Sequence, residues 1–183
     1  MLRAFCCQAS LRSPTNGARY ELASKQDSSL QGLAKFLHHR RYVSSVTQQA
    51  IWVLSDHRSI ATIPDSTESL HSLRVLLSRL SGQKIPWYHI ESVNGQFQNG
   101  QLYQHSKSIH ATVLVNHQQG DFVQLQILNQ AGMPCVKILR HWLQAGQGLH
   151  YPLEIPLQGL SAGKYEVLLE GKEGVLYREV FEV

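Results

Sequence analysis

The side chains in this sequence that could do chemistry are three cysteines and one adjacent pair of an aspartate and a histidine. Cys6 and Cys7 are neighbours while Cys135 lies far along the chain, a spacing that fits neither a zinc site nor a disulfide framework. Either N-terminal thiol could be combined with His57 as a base and Asp56 as its orienting group. Adjacent residues of a helix do not face each other, so we interpret this pair as part of a polar turn that ends a helix. No catalytic residue is predicted.

Metal and cofactor sites are not expected either. The ten histidines are scattered, and no two of them have the four-residue spacing that places two ligands on one face of a helix. The sequence has no glycine-rich loop of the kind that holds a phosphate. The sequence therefore predicts a non-enzymatic protein with no cofactor and no bound metal.

Apolar residues with helical spacing lie within residues 1–82, and this part of the chain could be the end of a larger, truncated domain. Residues 27–41 predict an amphipathic helix, and residues 44–54 predict a second helix that is apolar almost all round and therefore buried. A third helix has the clearest ends. Asp65 begins a capping-box pattern, and Gly82 can supply a left-handed C-cap.

From Ser92 onward the period of the apolar residues changes to two, which is typical of strands. Six or seven short runs of this kind are separated by turn segments at 116–120, 129–132, 145–148, 159–163 and 171–174. Such spacing predicts an antiparallel immunoglobulin-like β-sandwich over 101–183, joined to the helices by a linker at 83–100. The predicted fold class is α+β. We expect Trp142 and Tyr151 to cover the core or a sheet edge rather than to form a platform for sugars.

The net charge of +4 is a property of the N-terminal part. Residues 1–45 hold seven basic and two acidic side chains, whereas residues 92–183 hold six basic and seven acidic ones. The basic cluster at 38–41 is interpreted as a solvated helix end, because the helix dipole favours cations there. Nucleic acid is therefore not an expected partner. No apolar run approaches the roughly 18 residues of a membrane span, and the first residues become polar too early for a signal peptide.

Two segments of the C-terminal part have a distinctive form. One strand ends in a turn at Gly132, and another begins with Leu160, Gly163 and Tyr165 in the pattern Leu-x-x-Gly-x-Tyr, before a last strand at the end of the chain. Over roughly residues 106–183 this arrangement resembles the C-terminal sorting domain of the bacterial type IX secretion system. Glycine supplies positive φ at such turns, and the tyrosine covers a sheet edge or the end of the core.

The resemblance implies that this part of the chain is an address read by a secretion translocon, with attachment or release at the outer surface of a bacterium. It also implies prior export across the inner membrane. Because the chain carries no export signal, we expect it to be a fragment of a longer precursor that is displayed at the cell surface or secreted.

A second resemblance concerns the segment 47–52, TQQAIW, and the pair Phe5 and Cys6. Both are similar to segments of bacterial surface thioester domains. In that family a cysteine thiolate attacks a glutamine side-chain amide, ammonia leaves, and the thioester then acylates an amine of a partner. The resemblance implies a bond from Cys6, or from its neighbour Cys7, to Gln48. The alternative is a buried helix beside two cysteines that act as small hydrophobic side chains.

These observations predict a non-enzymatic, exported surface or secreted fragment whose sandwich serves sorting, anchoring or adhesion. Its expected partner is the translocon or a surface protein. One alternative is a covalent adhesin that acylates a partner amine through a Cys-Gln thioester. Another is a soluble protein-binding module with no secretion role.

Overall fold

The computed structural model describes Cys7, residues 27–98 and residues 101–183, without the side chains at 93–98, 101–106, 137–139 and 141. The described residues form three α-helices, a short 3-10 helix and seven strands in two antiparallel sheets, which confirms the predicted α+β fold. The chain divides into two compact units. We call Met1–His105 the N-terminal unit and Ser106–Val183 the C-terminal unit.

The three helices are α1 (Ser28–Leu37), α2 (Ser44–Ser55) and α3 (Glu68–Ser81), and the 3-10 turn Ile60–Thr62 separates α2 from α3. Each helix was predicted, and α2 and α3 have nearly their predicted bounds, whereas α1 ends at Leu37 rather than at the predicted residue 41. The start of α3 differs in one respect, because Thr67 rather than Asp65 caps it by accepting a hydrogen bond from the backbone N–H of Leu70 at 3.3 Å. Gly82 ends α3 in the left-handed conformation (φ 76°), as expected.

The N-terminal unit has an apolar core of its own. Its members come from all three helices and from the segment between α2 and α3: Leu33, Ala50, Val53, Ile60, Ile63, Leu73 and Leu77. The predicted burial of the centre of α2 is confirmed by Ala50, Trp52 and Val53.

A buried arginine fixes the segment that leaves α3. Arg74 is 1% exposed, and its Nη2 donates hydrogen bonds to the backbone carbonyls of Pro86 and Tyr88, each at 2.8 Å. Its Nη1 lies 3.1 Å from Oδ2 of Asp65. Asp65, which was predicted to cap α3, therefore forms an ion pair with Arg74 instead. Burial lowers the pKa of Arg74, and the Asp65 carboxylate opposes that shift. One side chain therefore joins α3, the turn before it and the segment that leads into the next strand.

The strands are β1 (His89–Gln98), β2 (Gln101–His117), β3 (Asp121–Leu128), β4 (Pro134–Leu143), β5 (Gly146–Pro156), β6 (Lys164–Gly171) and β7 (Gly174–Glu182). One sheet has the order β1-β2-β5 and the other has the order β4-β3-β6-β7. Strand β1 lies in the segment 83–100 that the sequence predicts as a linker. The fourth strand, β4, pairs with β3, at the position that strand C′ has in immunoglobulin variable domains, whereas in constant domains the fourth strand pairs with the fifth.

The C-terminal unit buries alternate residues of its strands. Ile109, Val113 and Val115 of β2, Val123, Leu125 and Ile127 of β3, Leu153 and Ile155 of β5, Val167 and Leu169 of β6, and Phe181 of β7 form this core. Tyr151 is buried, as predicted, at 8% exposure. His117 is 2% exposed, and neither of its ring nitrogens has a hydrogen-bond partner among the described residues.

Candidate functional site

The turn at Gly132 is a closed polar loop between β3 and β4. Asn129 accepts a hydrogen bond at its backbone oxygen from the N–H of Gly132 at 2.8 Å. Its side-chain Oδ1 accepts two more, from the N–H groups of Ala131 and Met133, both at 3.0 Å. Gly132 has φ 73°, a conformation that costs glycine little because it has no Cβ. The glycine that the sequence singled out is therefore required by the geometry of this turn.

The segment that starts β6 is fixed by the end of the chain. Gly163 (φ 154°) exchanges two backbone hydrogen bonds with Val183, at 3.1 and 2.9 Å. Tyr165 donates its hydroxyl hydrogen to the backbone oxygen of Ser161 at 2.9 Å and stacks on Phe181 with 5.7 Å between ring centroids. Leu160 is half-buried at the preceding turn. The stacked Tyr165 covers the end of the core, as the sequence predicted.

These two segments, about thirty residues apart in sequence, line one shallow depression of about 330 Å³. Residues 129–131 form one side of it and residues 162–165 form the other. It lies at the end of the four-stranded sheet where β3 finishes and β6 begins, since Leu128 is opposite Glu166. We call it the turn face. Gly132 and Leu160 are not among its lining residues, and they shape the two turns that border it.

The thioester candidates are described in part. Cys6 lies outside the described residues, whereas Cys7 is exposed and its backbone oxygen accepts a hydrogen bond from Oγ of Ser55 at 2.7 Å. Gln48 is half-buried near the start of α2, and Ser55 is at the end of that helix. Seven residues of α-helix span about 10 Å. The structure therefore brings Cys7 to the helix that carries Gln48, at the other end of it.

The segment with Asp56 and His57 follows the end of α2, where the sequence predicts a polar turn. Asp56 is the C-cap of α2, and its backbone N–H donates to the oxygen of Trp52 at 3.0 Å. His57 has a positive φ of 52°, and Arg58 lies over the Trp52 ring at 4.9 Å from its centroid. This segment ends a helix.

An exposed aromatic pair is the feature that the sequence analysis missed. Phe122 of β3 and Trp142 of β4 are opposite each other in the sheet, and their rings meet edge to face at 5.2 Å between centroids. Their exposures are 57% and 56%, so Trp142 is not part of the core, which was one of its two expected places, and it lies on the edge strand β4. A signal was present, because alternation in β3 places Phe122 on the same face as Gln124 and Gln126.

Asp121 stands at the start of β3 beside this pair and joins it to the β6–β7 turn. Its Oδ2 accepts a hydrogen bond from the backbone N–H of Lys172 at 2.7 Å, and its Oδ1 accepts one from that of Phe122 at 2.7 Å. The Lys172 ammonium lies 3.6 Å from Oδ1. The hydrogen bond from Lys172 is the largest cause that lowers the pKa of Asp121 below its ordinary value. The carboxylate is thus held in its ionised form.

A pH dependence of stability follows from Asp121. A carboxyl group whose pKa is lower in the folded protein than in the unfolded chain stabilises the fold above the unfolded value of about 3.9, and that stabilisation disappears as the pH falls through the folded value. We expect Asp121→Asn to lower the thermal unfolding midpoint at pH 7, and the two proteins to converge in acid. Glu173→Gln changes an exposed acid in the same β6–β7 turn and should give no such convergence. Equal differences at both pH values would contradict this role of Asp121.

No protein-family model matches this chain, and no curated protein sequence matches it. None of the helices in the described part of the chain combines the length and the apolar character needed to cross a membrane. Across the same residues, no three His, Cys, Asp or Glu side chains gather where they could hold one metal ion. The features that could serve a function are therefore the turn face, the exposed pair of Phe122 and Trp142 at the other end of the four-stranded sheet, and the region of Cys7 and Gln48.

Proposed function

We propose that the C-terminal unit is a non-enzymatic recognition module that sorts or anchors an exported protein at a bacterial surface, and that the turn face is the part its partner reads. One observation carries the proposal: the two segments that resemble sorting motifs, distant in sequence, border one depression. Residues of three separate segments, 129–133, 161–165 and Val183, hold it by hydrogen bonds. Such a surface is suited to recognition by shape, by a translocon or a surface protein.

The test is delivery of a reporter. The complete chain is fused to the C-terminus of an exported reporter in a bacterium that has a type IX system, and the reporter is assayed on intact cells. We expect surface delivery, and we expect Gly132→Ala to reduce it roughly tenfold, the effect of about 1.4 kcal/mol in binding. The reason is that alanine disfavours the positive φ of this turn and changes its shape.

Gly174→Ala is the matched control. Gly174 also has a positive φ, 115°, and a Cβ at either glycine meets no atom within 4 Å, so both substitutions strain the backbone alone. Gly174 begins β7 at the far end of the sheet, and its variant should be delivered normally. Retention of the unsubstituted fusion in the periplasm would contradict the proposal and favour a binding module without a secretion role. Equal losses in both glycine variants would also contradict it.

A second candidate is a covalent adhesin. The hydrogen bond from Ser55 attaches Cys7 to the helix of Gln48, at the end opposite Gln48, so the covalent step requires the thiol to move about 10 Å along that helix. The reaction would join the thiol sulfur to the Gln48 side-chain carbonyl and release ammonia; a partner amine would then form an amide and return the thiol. Intact mass tests it. A thioester lowers the mass by one ammonia, and methylamine adds to Gln48.

The controls for this candidate substitute a neighbouring glutamine and a distant cysteine. Gln48→Ala should remove the methylamine adduct and Gln49→Ala should not. Cys135→Ser should leave it intact, because Cys135 is an exposed cysteine in the other unit. An unmodified mass with no adduct would exclude the covalent mechanism.

A further inference from the structure

The pair formed by Phe122 and Trp142 is exposed but held in place. The edge-to-face contact between the rings fixes their relative orientation at 79°. Gly120 closes the other side, because a Cβ at that position would lie 2.8 Å from Cζ2 of Trp142. The indole therefore packs against bare backbone and keeps more than half of its surface in solvent. A ring fixed in this way loses little conformational freedom when a ligand stacks on it.

Polar groups of complementary kinds lie next to the aromatic pair. Phe122 and Gln124 line a depression of about 570 Å³ together with Asp121, Arg140, Glu170, Gly171 and Lys172, and Trp142 borders it through its contact with Phe122 without lining it. We call it the aromatic face. Gln124 is directly opposite Glu170 across β3 and β6 and two residues from Phe122, which is about 7 Å along the strand. An aromatic ring and an array of hydrogen-bonding groups thus lie side by side.

The charges of the aromatic face restrict what it can bind. Its two cations, Arg140 and Lys172, are balanced by two carboxylates, Asp121 and Glu170. Binding of a single-stranded nucleic acid depends on an excess of positive charge along the groove. The core of a protein interface is depleted in charged side chains. Neither class of macromolecule matches a neutral depression of charged and amide groups beside a bare indole.

A neutral sugar chain has the complementary chemistry. The C–H face of a pyranose ring packs on an aromatic ring, while its hydroxyl groups donate to carboxylate and amide oxygens and accept from guanidinium and amide N–H groups. Phe122, which lines the depression, and Trp142, which borders it through its ring contact with Phe122, supply the first requirement. Gln124, Glu170 and Arg140 supply the second. We propose that the aromatic face is a binding site for a neutral glycan, independent of the turn face at the opposite end of the sheet.

The experiment measures depletion of the complete chain by suspensions of cellulose, chitin, curdlan and mannan. We expect saturable binding to at least one of them that changes little with salt, since no counterions are released. Trp142→Ala should weaken it at least tenfold, which corresponds to about 1.4 kcal/mol. Gly120→Ala should also weaken it, because the added Cβ displaces the indole. This substitution changes none of the side chains that line the aromatic face.

The control is Leu114→Ala, which removes another exposed apolar side chain (61% exposed) from β2 in the other sheet and should not change binding. Circular dichroism verifies that each variant is folded. Absence of binding to all four glycans, or binding that Trp142→Ala leaves unchanged, would overturn the proposal. Salt-sensitive binding of oligothymidylate, or a dimer that disappears in Trp142→Ala, would overturn it in favour of a nucleic acid or a second copy of the chain. Surface delivery of the Trp142→Ala fusion should be normal, so that the two proposals can fail separately.

Discussion

Arg74→Met is expected to lower the free energy of unfolding of the N-terminal unit by about 3 kcal/mol. The substitution removes the guanidinium from the Asp65 carboxylate, which keeps His71 at 3.1 Å, and removes the donor from the carbonyls of Pro86 and Tyr88. Breaking a buried ion pair from one side costs about 3–5 kcal/mol. We expect the lower end of that range, because the Asp65 side chain is 35% exposed and water can reach it. Urea unfolding followed by the helical circular dichroism signal measures the change.

Two further variants test the cause. Arg79→Met replaces an exposed arginine of the same helix and should change stability by less than about 0.5 kcal/mol. Arg74→Lys should recover only part of the loss, because a single ammonium cannot reproduce the planar fork that reaches three acceptors. Equal effects of the Arg74 and Arg79 substitutions would show that the buried contacts do not stabilise the unit.

Leu169→Ala is expected to lower the free energy of unfolding of the C-terminal unit by about 3 kcal/mol. Leu169 is fully buried at the centre of β6, opposite Leu125 on one neighbouring strand and Tyr177 on the other. Truncating a buried leucine removes its transfer free energy and leaves a cavity that the rigid sheet cannot close, at a cost of about 2–5 kcal/mol. Hydrogen exchange of the β3 and β6 backbone amides measures this loss within the unit.

Val175→Ala provides the comparison. Val175 is 52% exposed at the start of the edge strand β7, so its truncation should have an effect below about 0.5 kcal/mol. Similar loss of protection in both variants would contradict a core centred on β6.

The local signals in the sequence were sufficient for most of the fold. Amphipathic periodicity identified α1, and the αL conformation that Gly82 allows identified the end of α3. Asp65 was assigned to a helix cap because capping is a local interaction. In the folded chain the Asp65 carboxylate forms an ion pair with Arg74, and the Thr67 hydroxyl caps the helix. The partners of Arg74 come from twelve and fourteen residues away, and periodicity carries no information about them.

The exposure of Trp142 has an identifiable structural reason. Val136 and Trp142 are six residues apart, so strict alternation puts them on the same side of β4. The register shows otherwise: Val123 is opposite His141 but Leu125 is opposite Ile138, so β4 contains one extra residue. A bulge of this kind reverses the alternation beyond it and turns Trp142 toward solvent. Only the pairing of the strands reveals it.

The turn face was predicted as separate residues, and its assembly was not. Gly132, Gly163 and Tyr165 were each expected at turns or strand starts. That they border one depression follows from the pairing of β3 with β6, which brings residues 129–131 next to residues 162–165. The sequence indicated which residues are needed, and the topology determines which of them meet.

The placement of the three tryptophans makes the two units optically distinguishable. Trp52 is 9% exposed in the N-terminal unit, which also contains Trp87, whereas Trp142 of the C-terminal unit already faces water when folded. Intrinsic fluorescence should therefore shift to the red mainly when the N-terminal unit unfolds, and quenching by iodide in the native protein should act mainly on Trp142. The same indole that we assign to glycan binding would then report ligand directly, by protection from the quencher.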